Sequence, residues 1–98
     1  MFTRIVKMEF REDEIPAFLA NFEVVKDKIR SFPGCLFLEL YRDRKDTNIF
    51  FTYSRWEQES DLENYRRSAL FNEVWAETKP KFSNKAHAWS VDTLYKLS

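Results

Sequence analysis

The chain has 98 residues, of which 44% are hydrophobic and 17% aromatic, and its 16 basic and 16 acidic residues leave no net charge. This length accommodates one domain without a second core, and the charge balance favours neither nucleic acid nor an anionic membrane. Its one cysteine, Cys35, excludes an internal disulfide and a cysteine-based zinc cluster. Neither a signal peptide nor an apolar run of the ~20 residues that span a bilayer is evident. We therefore expect a soluble, cytoplasmic single domain over residues 1–98.

The N-terminal third alternates between two periodicities. Apolar side chains at every second position predict a strand over Phe2–Phe10. Helical spacing follows over residues 15–29, with Asp13 as a plausible cap. Phe32-Pro33-Gly34 ends this helix, because proline disfavours a helical conformation at the preceding residue and glycine can adopt a positive φ.

The remaining two thirds predict a hairpin, a helix and a last strand. Two strands are predicted over Cys35–Arg42 and Ile49–Trp56, joined by a charged turn. Helical spacing from Leu62 to Trp75, with a possible break near Ser68, then precedes a strand over residues 86–95.

The order strand, helix, strand, strand, helix, strand predicts an α+β, ferredoxin-like βαββαβ fold, a four-stranded antiparallel sheet with two helices on one face. A monomer of this kind has one polar sheet face. Here both faces carry apolar residues: Leu36, Leu38 and Leu40 on one, and Phe37, Tyr41, His87, Trp89, Val91 and Tyr95 on the other. We expect the uncovered face to pair with a second copy, provided that the strand registers are as predicted.

The chain resembles the antibiotic biosynthesis monooxygenase family, whose members form dimeric α+β barrels. The resemblance lies in FPGCLFLELYRD after the first helix, FFTYSRW as the third strand, LENYRRSALF in the second helix and AHAWSVDTL as the last strand. It implies the same barrel, a homodimer built through sheet faces. It also implies oxygenation of quinols or polyketide anthrones without metal, flavin or haem, so no cofactor is expected.

The second helix departs from the family pattern. Many members have His-x-x-Ser-x-His-Phe where this chain has Tyr65, Ser68, Leu70 and Phe71, so both histidines are replaced. Leucine cannot transfer a proton, and tyrosine, with a reference pKa of about 10, is a poor base at neutral pH. Haem-degrading relatives carry a histidine where this chain has Trp75, so haem degradation is not expected.

The proton acceptor of such a reaction would be His87 or Tyr65. His87 is the one histidine, and histidine is the residue type that exchanges protons most readily near neutral pH. A lone strand histidine is more often a half-buried packing or interface residue. Tyr65 could equally pack its ring inward with its hydroxyl towards solvent.

Five residues are candidates to bind the substrate: Trp56, Tyr53, Phe71, Trp75 and Arg4. Trp56 matches the family tryptophan at the end of the third strand, Tyr53 could hydrogen-bond a phenol, and Arg4 could stabilise an anion. Each also has a structural interpretation, as core packing for the aromatic rings and as a surface or dimer-rim charge for Arg4.

A charge-rich segment at the start of the second helix, which includes Arg66 and Arg67, is interpreted as a solvated face. Without clustered histidines, cysteines or carboxylates, no metal site is expected.

The resemblance therefore implies a cofactor-independent monooxygenase that acts on a small aromatic or quinol-like substrate. The alternative is a non-catalytic homodimer that binds a small hydrophobic molecule. Haem binding without degradation is a third and weaker reading, because the second helix offers no ligand. None of these three functions involves a nucleic-acid or membrane partner.

Overall fold

Four antiparallel strands form one sheet, and three helices pack on one of its faces. The strands are β1 (Phe2–Phe10), β2 (Cys35–Arg42), β3 (Ile49–Trp56) and β4 (Phe82–Val91), and the helices are α1 (Ile15–Arg30), α2 (Glu59–Arg66) and α3 (Ala69–Thr78). Across the sheet the strands lie in the order β2-β3-β1-β4. The computed structural model describes residues 1–98. This architecture confirms the ferredoxin-like α+β fold, with the second predicted helix divided into α2 and α3.

The core lies between the helices and the even-numbered residues of β1 and β3. One cluster joins Met8, Phe10 and Phe50 of the sheet to the start of α1. A second cluster joins Trp56 at the end of β3 to Tyr65 and to other residues of α1, α2 and β2. The two clusters account for the alternation seen in the sequence, because strand side chains point alternately to the two faces of a sheet.

Strand β2 contains a bulge that reverses part of the predicted pattern. Cys35 pairs with Trp56, but Phe37 pairs with Arg55, so Leu36 is an additional residue without a partner. Leu36 is 41% exposed and Cys35 is buried, so the prediction that Leu36 shares a face with the other two leucines is wrong. The inserted residue shifts the alternation by one position, so the residues before and after it do not follow one continuous pattern. A regular alternation of apolar residues in the sequence does not reveal such a bulge.

Strand β4 begins and ends four residues earlier than predicted. It starts at Phe82, which pairs with Phe10, and its last pair joins Val91 to Thr3. Because β4 lies at the sheet edge, β1 is its only neighbour and sets its length. Tyr95 therefore lies beyond the strand, and 90% of it is exposed.

Local hydrogen bonds fix the helix ends. The Ser68 hydroxyl donates to the Tyr65 carbonyl oxygen and accepts from the Phe71 amide, so it ends α2 and begins α3 and confirms the break predicted there. The predicted cap of α1 is wrong: Asp13 lies inside a 3-10 turn, and Glu14 holds the cap position without a side-chain bond.

The opposite sheet face, hereafter the outer face, carries no helix. Its aromatic side chains contact one another across strands, with the rings of Phe37 and Tyr53 5.8 Å apart and the Arg55 guanidinium over both. Trp89 is 47% exposed there.

The helices are all too short or too polar to cross a membrane.

Candidate functional site

A cavity of about 320 Å³ lies between the helices and the sheet. Fifteen of its 22 lining residues are hydrophobic, and six of these are aromatic: Phe18, Phe22, Trp56, Tyr65, Phe71 and Trp75. This volume is at the lower end of the range typical of small-molecule sites. The cavity therefore suits a small and largely apolar ligand.

Four aromatic rings form a continuous wall of this cavity. Trp56 stacks on Tyr65 with ring centroids 5.3 Å apart, and Tyr65 meets Phe71 edge to face at 5.2 Å. Phe71 in turn stacks on Trp75 at 5.9 Å, with 14° between the ring planes. These rings come from β3, α2 and α3, so the packing of helices on the sheet builds the wall. We refer to these four residues as the aromatic wall.

Trp56 serves the core and the cavity together. It is 1% exposed, and its indole Nε1 donates to Ser54 Oγ at 3.0 Å. The two residues are two positions apart on β3, so both side chains point towards the helices. A buried indole N–H needs such a partner, and Ser54 fixes the orientation of the ring.

Tyr65 is held as a neutral phenol. Burial raises its pKa to about 12, with a smaller contribution from Cys35. No protein group accepts a hydrogen bond from its hydroxyl, which is nevertheless not sealed from solvent. At neutral pH this hydroxyl is therefore better suited to donate a hydrogen bond than to accept a proton.

His87 lies at the cavity rim, between Ala86 and Ala88 of β4. It pairs with Lys7, whose parity belongs to the outer face, and its ring stacks on Trp89 at 6.1 Å. The structure therefore does not bring the rings of His87 and Tyr65 together.

Tyr53 is the candidate that the structure places away from the cavity. It belongs to the odd-numbered residues of β3, and its ring contacts Phe37 and Tyr41 on the outer face. The other six candidates, Arg4, Trp56, Tyr65, Phe71, Trp75 and His87, all line the cavity.

Two arginines line the same cavity. Arg4 projects from β1 towards the helices, and its Nη1 donates to Ser90 Oγ at 3.0 Å. Burial lowers the pKa of Arg4, and the charge of Arg66 lowers it further, whereas Glu63 raises it. Arg66 stands in the last turn of α2, so α2 brings a second guanidinium near the one on β1.

Sequence reasoning missed Arg66, Asn21 and Thr52 as lining residues. Arg66 belongs to a segment interpreted as solvated, and this interpretation holds for Arg67, whose side chain is 78% exposed. The available signal was the position of Arg66 directly after Tyr65. On an α-helix this places Arg66 about 100° around the axis from a residue already predicted to belong to the site.

The polar lining is otherwise sparse. Ser54 and Thr78 already hydrogen-bond within the protein, whereas the side chains of Asn21 and Thr52 make no such bond. Nowhere do three or more histidine, cysteine, aspartate or glutamate side chains converge. The residues present can thus hold a flat apolar molecule and offer hydrogen bonds to its polar atoms.

Known structures share this fold. A crystal structure of an antibiotic biosynthesis monooxygenase superposes with a TM-score of 0.90 at 19% identity, over 97% of this chain and 100% of that one. Rv0793 from Mycobacterium tuberculosis gives 0.87 at 18% identity, over 99% and 98%. A conserved protein from Methanosarcina mazei Go1 gives 0.87 at 16% identity, over 94% and 92%. At these identities the likeness shows the fold alone.

No curated protein matches the chain. The sequence model described as antibiotic biosynthesis monooxygenase matches residues 1–77, which run from β1 to the last turn of α3 and include 18 of the 22 residues that line the cavity. The chain therefore belongs to the antibiotic biosynthesis monooxygenase family.

Proposed function

We propose that the protein is a cofactor-independent monooxygenase that acts on a small aromatic, quinol-like substrate. The observation that carries this proposal is the aromatic wall beside a cavity of about 320 Å³. Flat aromatic molecules stack well on such rings, and a largely apolar lining excludes water from them.

The chemistry needs only the substrate and dioxygen. An ionised quinol is electron-rich and can give an electron to dioxygen, after which the two radicals combine at a ring carbon. One oxygen atom stays on the ring, and the other leaves as water, so hydroquinone and dioxygen give hydroxyquinone and water. The protein would bind the ring, exclude bulk water and stabilise the anion.

Tyr65 would donate a hydrogen bond to the substrate oxygen. Its pKa of about 12 keeps the phenol protonated at neutral pH, which argues against its role as the base. His87 remains the candidate proton acceptor, since it lies at the cavity rim. Its stacking on Trp89 means that the ring would have to turn towards the cavity.

The alternative function is a non-catalytic, homodimeric domain that binds a small hydrophobic molecule. The orientation of His87 favours it, because the ring of the one histidine contacts the outer face. The same cavity would then hold a ligand without oxidising it.

We further propose that the outer face pairs two copies of the chain, each with its own cavity. This face exposes Trp89 by 47%, Tyr41 by 43% and Val91 by 40%. Large exposed apolar patches usually mark interfaces, and a second copy offers a surface of the same composition.

Dioxygen uptake with a panel of hydroquinones and anthrones tests the enzyme proposal. We expect enzyme-dependent uptake that Trp56→Phe reduces and that His87→Ala abolishes if His87 is the base. If dioxygen uptake persists in His87→Ala, a residue other than His87 accepts the proton. A folded protein that quenches its tryptophan fluorescence with these compounds but consumes no dioxygen would favour the binding domain.

A further inference from the structure

We propose that Arg4 and Arg66 form an anion subsite of the cavity, which takes the carboxylate of an aromatic ligand. This inference rests on the proposed binding of an aromatic molecule against the aromatic wall. It narrows the ligand class to aromatic carboxylates, whether substrate or merely bound ligand.

The two guanidinium groups come from different layers of the fold. Arg4 is held from the sheet side, where its Nη1 bonds Ser90 Oγ on the edge strand β4. Arg66 comes from the helix side, directly after Tyr65 of the aromatic wall, and keeps 48% of its side chain exposed. An anion between them would contact both layers, with a ring still able to reach Tyr65.

The cavity lining contains cations but no carboxylate. Its seven residues outside the hydrophobic set are Arg4, Asn21, Thr52, Ser54, Arg66, Thr78 and His87. None is acidic, so the lining itself provides no counter-charge for the two guanidinium groups. A bound anion would supply it.

The nearest carboxylate is already shared. Glu63 lies 3.8 Å from Arg66 and 3.7 Å from Arg67, whereas no carboxylate lies within 4.0 Å of Arg4. Two arginines thus share one glutamate, and Arg4 has only a neutral hydroxyl as its side-chain partner. Proteins usually separate or neutralise like charges, since their repulsion grows as water is removed.

A carboxylate suits this pair better than a neutral polar group. The planar guanidinium presents a fork of N–H donors that matches the two oxygens of a carboxylate. Burial and the charge of Arg66 lower the pKa of Arg4 by more than Glu63 raises it, so the negative charge near this cation does not fully compensate it.

Isothermal titration calorimetry at neutral pH and low salt tests the subsite with two matched ligands. These are 2-naphthoate, which is anionic, and 2-naphthamide, which has the same shape without charge. We expect the wild type to bind naphthoate about tenfold or more tightly than the amide, since hydrogen bonds to charged groups are the stronger ones. Arg4→Gln and Arg66→Gln should each remove most of this preference, which is measured in each variant as the ratio of the two affinities.

Arg67→Gln is the matched control, because it removes a neighbouring arginine that also contacts Glu63 but does not line the cavity. It should keep the preference for naphthoate. Equal affinity of the wild type for both ligands would overturn the subsite but leave the aromatic cavity intact. Binding of neither ligand would overturn the proposed function together with the subsite. If Arg4→Gln fails to fold after losing its bond to Ser90, the exposed Arg66 still provides the test.

Discussion

Trp56 and Tyr65 stack with ring centroids 5.3 Å apart and 28° between their planes, and this contact joins β3 to α2. The same two rings belong to a core cluster and line the cavity. The core and the proposed ligand site therefore share these two rings. A variant that removes either ring will lose core packing as well as part of the cavity wall, so informative substitutions must preserve the ring.

Tyr65→Phe preserves the ring and tests the state of the hydroxyl. The pKa of Tyr65 is raised from its ordinary value of 10.0 to about 12, because burial disfavours the phenolate. The folded state therefore retains the proton more tightly, and its stabilisation is complete below pH 10 and lost as the pH rises towards 12. We expect the free energy of unfolding of the wild type to fall by about 2 kcal/mol more than that of Tyr65→Phe between pH 10 and pH 12.

Urea unfolding at intervals between neutral and alkaline pH measures this difference. At neutral pH the two proteins should have similar stability, because the hydroxyl has no protein partner to lose. Parallel pH curves for wild type and variant would contradict the buried, neutral phenol.

Gly34→Ala should destabilise the protein by about 2 kcal/mol or more. Gly34 has a φ of +88°, and a Cβ there would lie 2.2 Å from Asp61 Cγ. The Asp61 carboxylate cannot withdraw freely, since it accepts from the Gln58 amide at the start of α2. The change therefore strains the turn and displaces the helix cap together, which chemical denaturation can measure.

A double-mutant cycle separates the two effects. Asp61→Gly alone should cost about 2 kcal/mol, for the lost cap and for glycine in the first turn of the helix. This background lacks both the Cβ and the Cγ that a Cβ at position 34 would meet. In it, Gly34→Ala should cost about 1 kcal/mol less than in the wild type, with the backbone strain remaining. Strictly additive costs would show that the close approach of Gly34 and Asp61 carries no energy.

Features that depend on local sequence signals were predicted correctly, whereas features that depend on the pairing of strands were not. The bounds of β1, β2 and β3 were predicted correctly, because alternating apolar residues and the Pro33-Gly34 stop are local signals. The early start of β4 depends on its pairing with β1, and the bulge at Leu36 on its pairing with β3, both contacts between segments distant in sequence.

Some residues of the cavity lining could likewise be predicted from the sequence, and others could not. Trp56 and Phe71 were predicted as lining residues from the family resemblance, and Trp75 from its large ring on the helical pattern. Arg66 was missed since its neighbours Glu63 and Arg67 indicate a solvated helix face. Only the packing of α2 on the sheet brings Arg66 near Arg4.

Thr52→Phe should fill the cavity from the sheet side. Thr52 lies on the helix face of the central strand β3, and its side chain makes no hydrogen bond that the change would break. We expect affinity for a naphthalene ligand to fall by about tenfold or more, because the new ring occupies the ligand's place. Thr52→Ser, which keeps the hydroxyl and removes a methyl group, should bind normally. Unchanged affinity in a folded Thr52→Phe variant would place the ligand elsewhere.

Trp89→Glu should separate the proposed homodimer. Trp89 stands on the outer face with 47% of its surface exposed, and an interface through this face would bury it. A buried, unpaired carboxylate costs several kcal/mol, and tryptophan is among the residues that contribute most to interfaces. Light scattering at micromolar concentration should give twice the 11.9 kDa chain mass for the wild type and the single mass for the variant.

Val24→Glu is the matched control, since Val24 is 66% exposed on α1, away from the outer face, and should leave the dimer intact. A wild type that scatters as a monomer, or a Trp89→Glu variant that remains dimeric, would show that the outer face does not pair two copies.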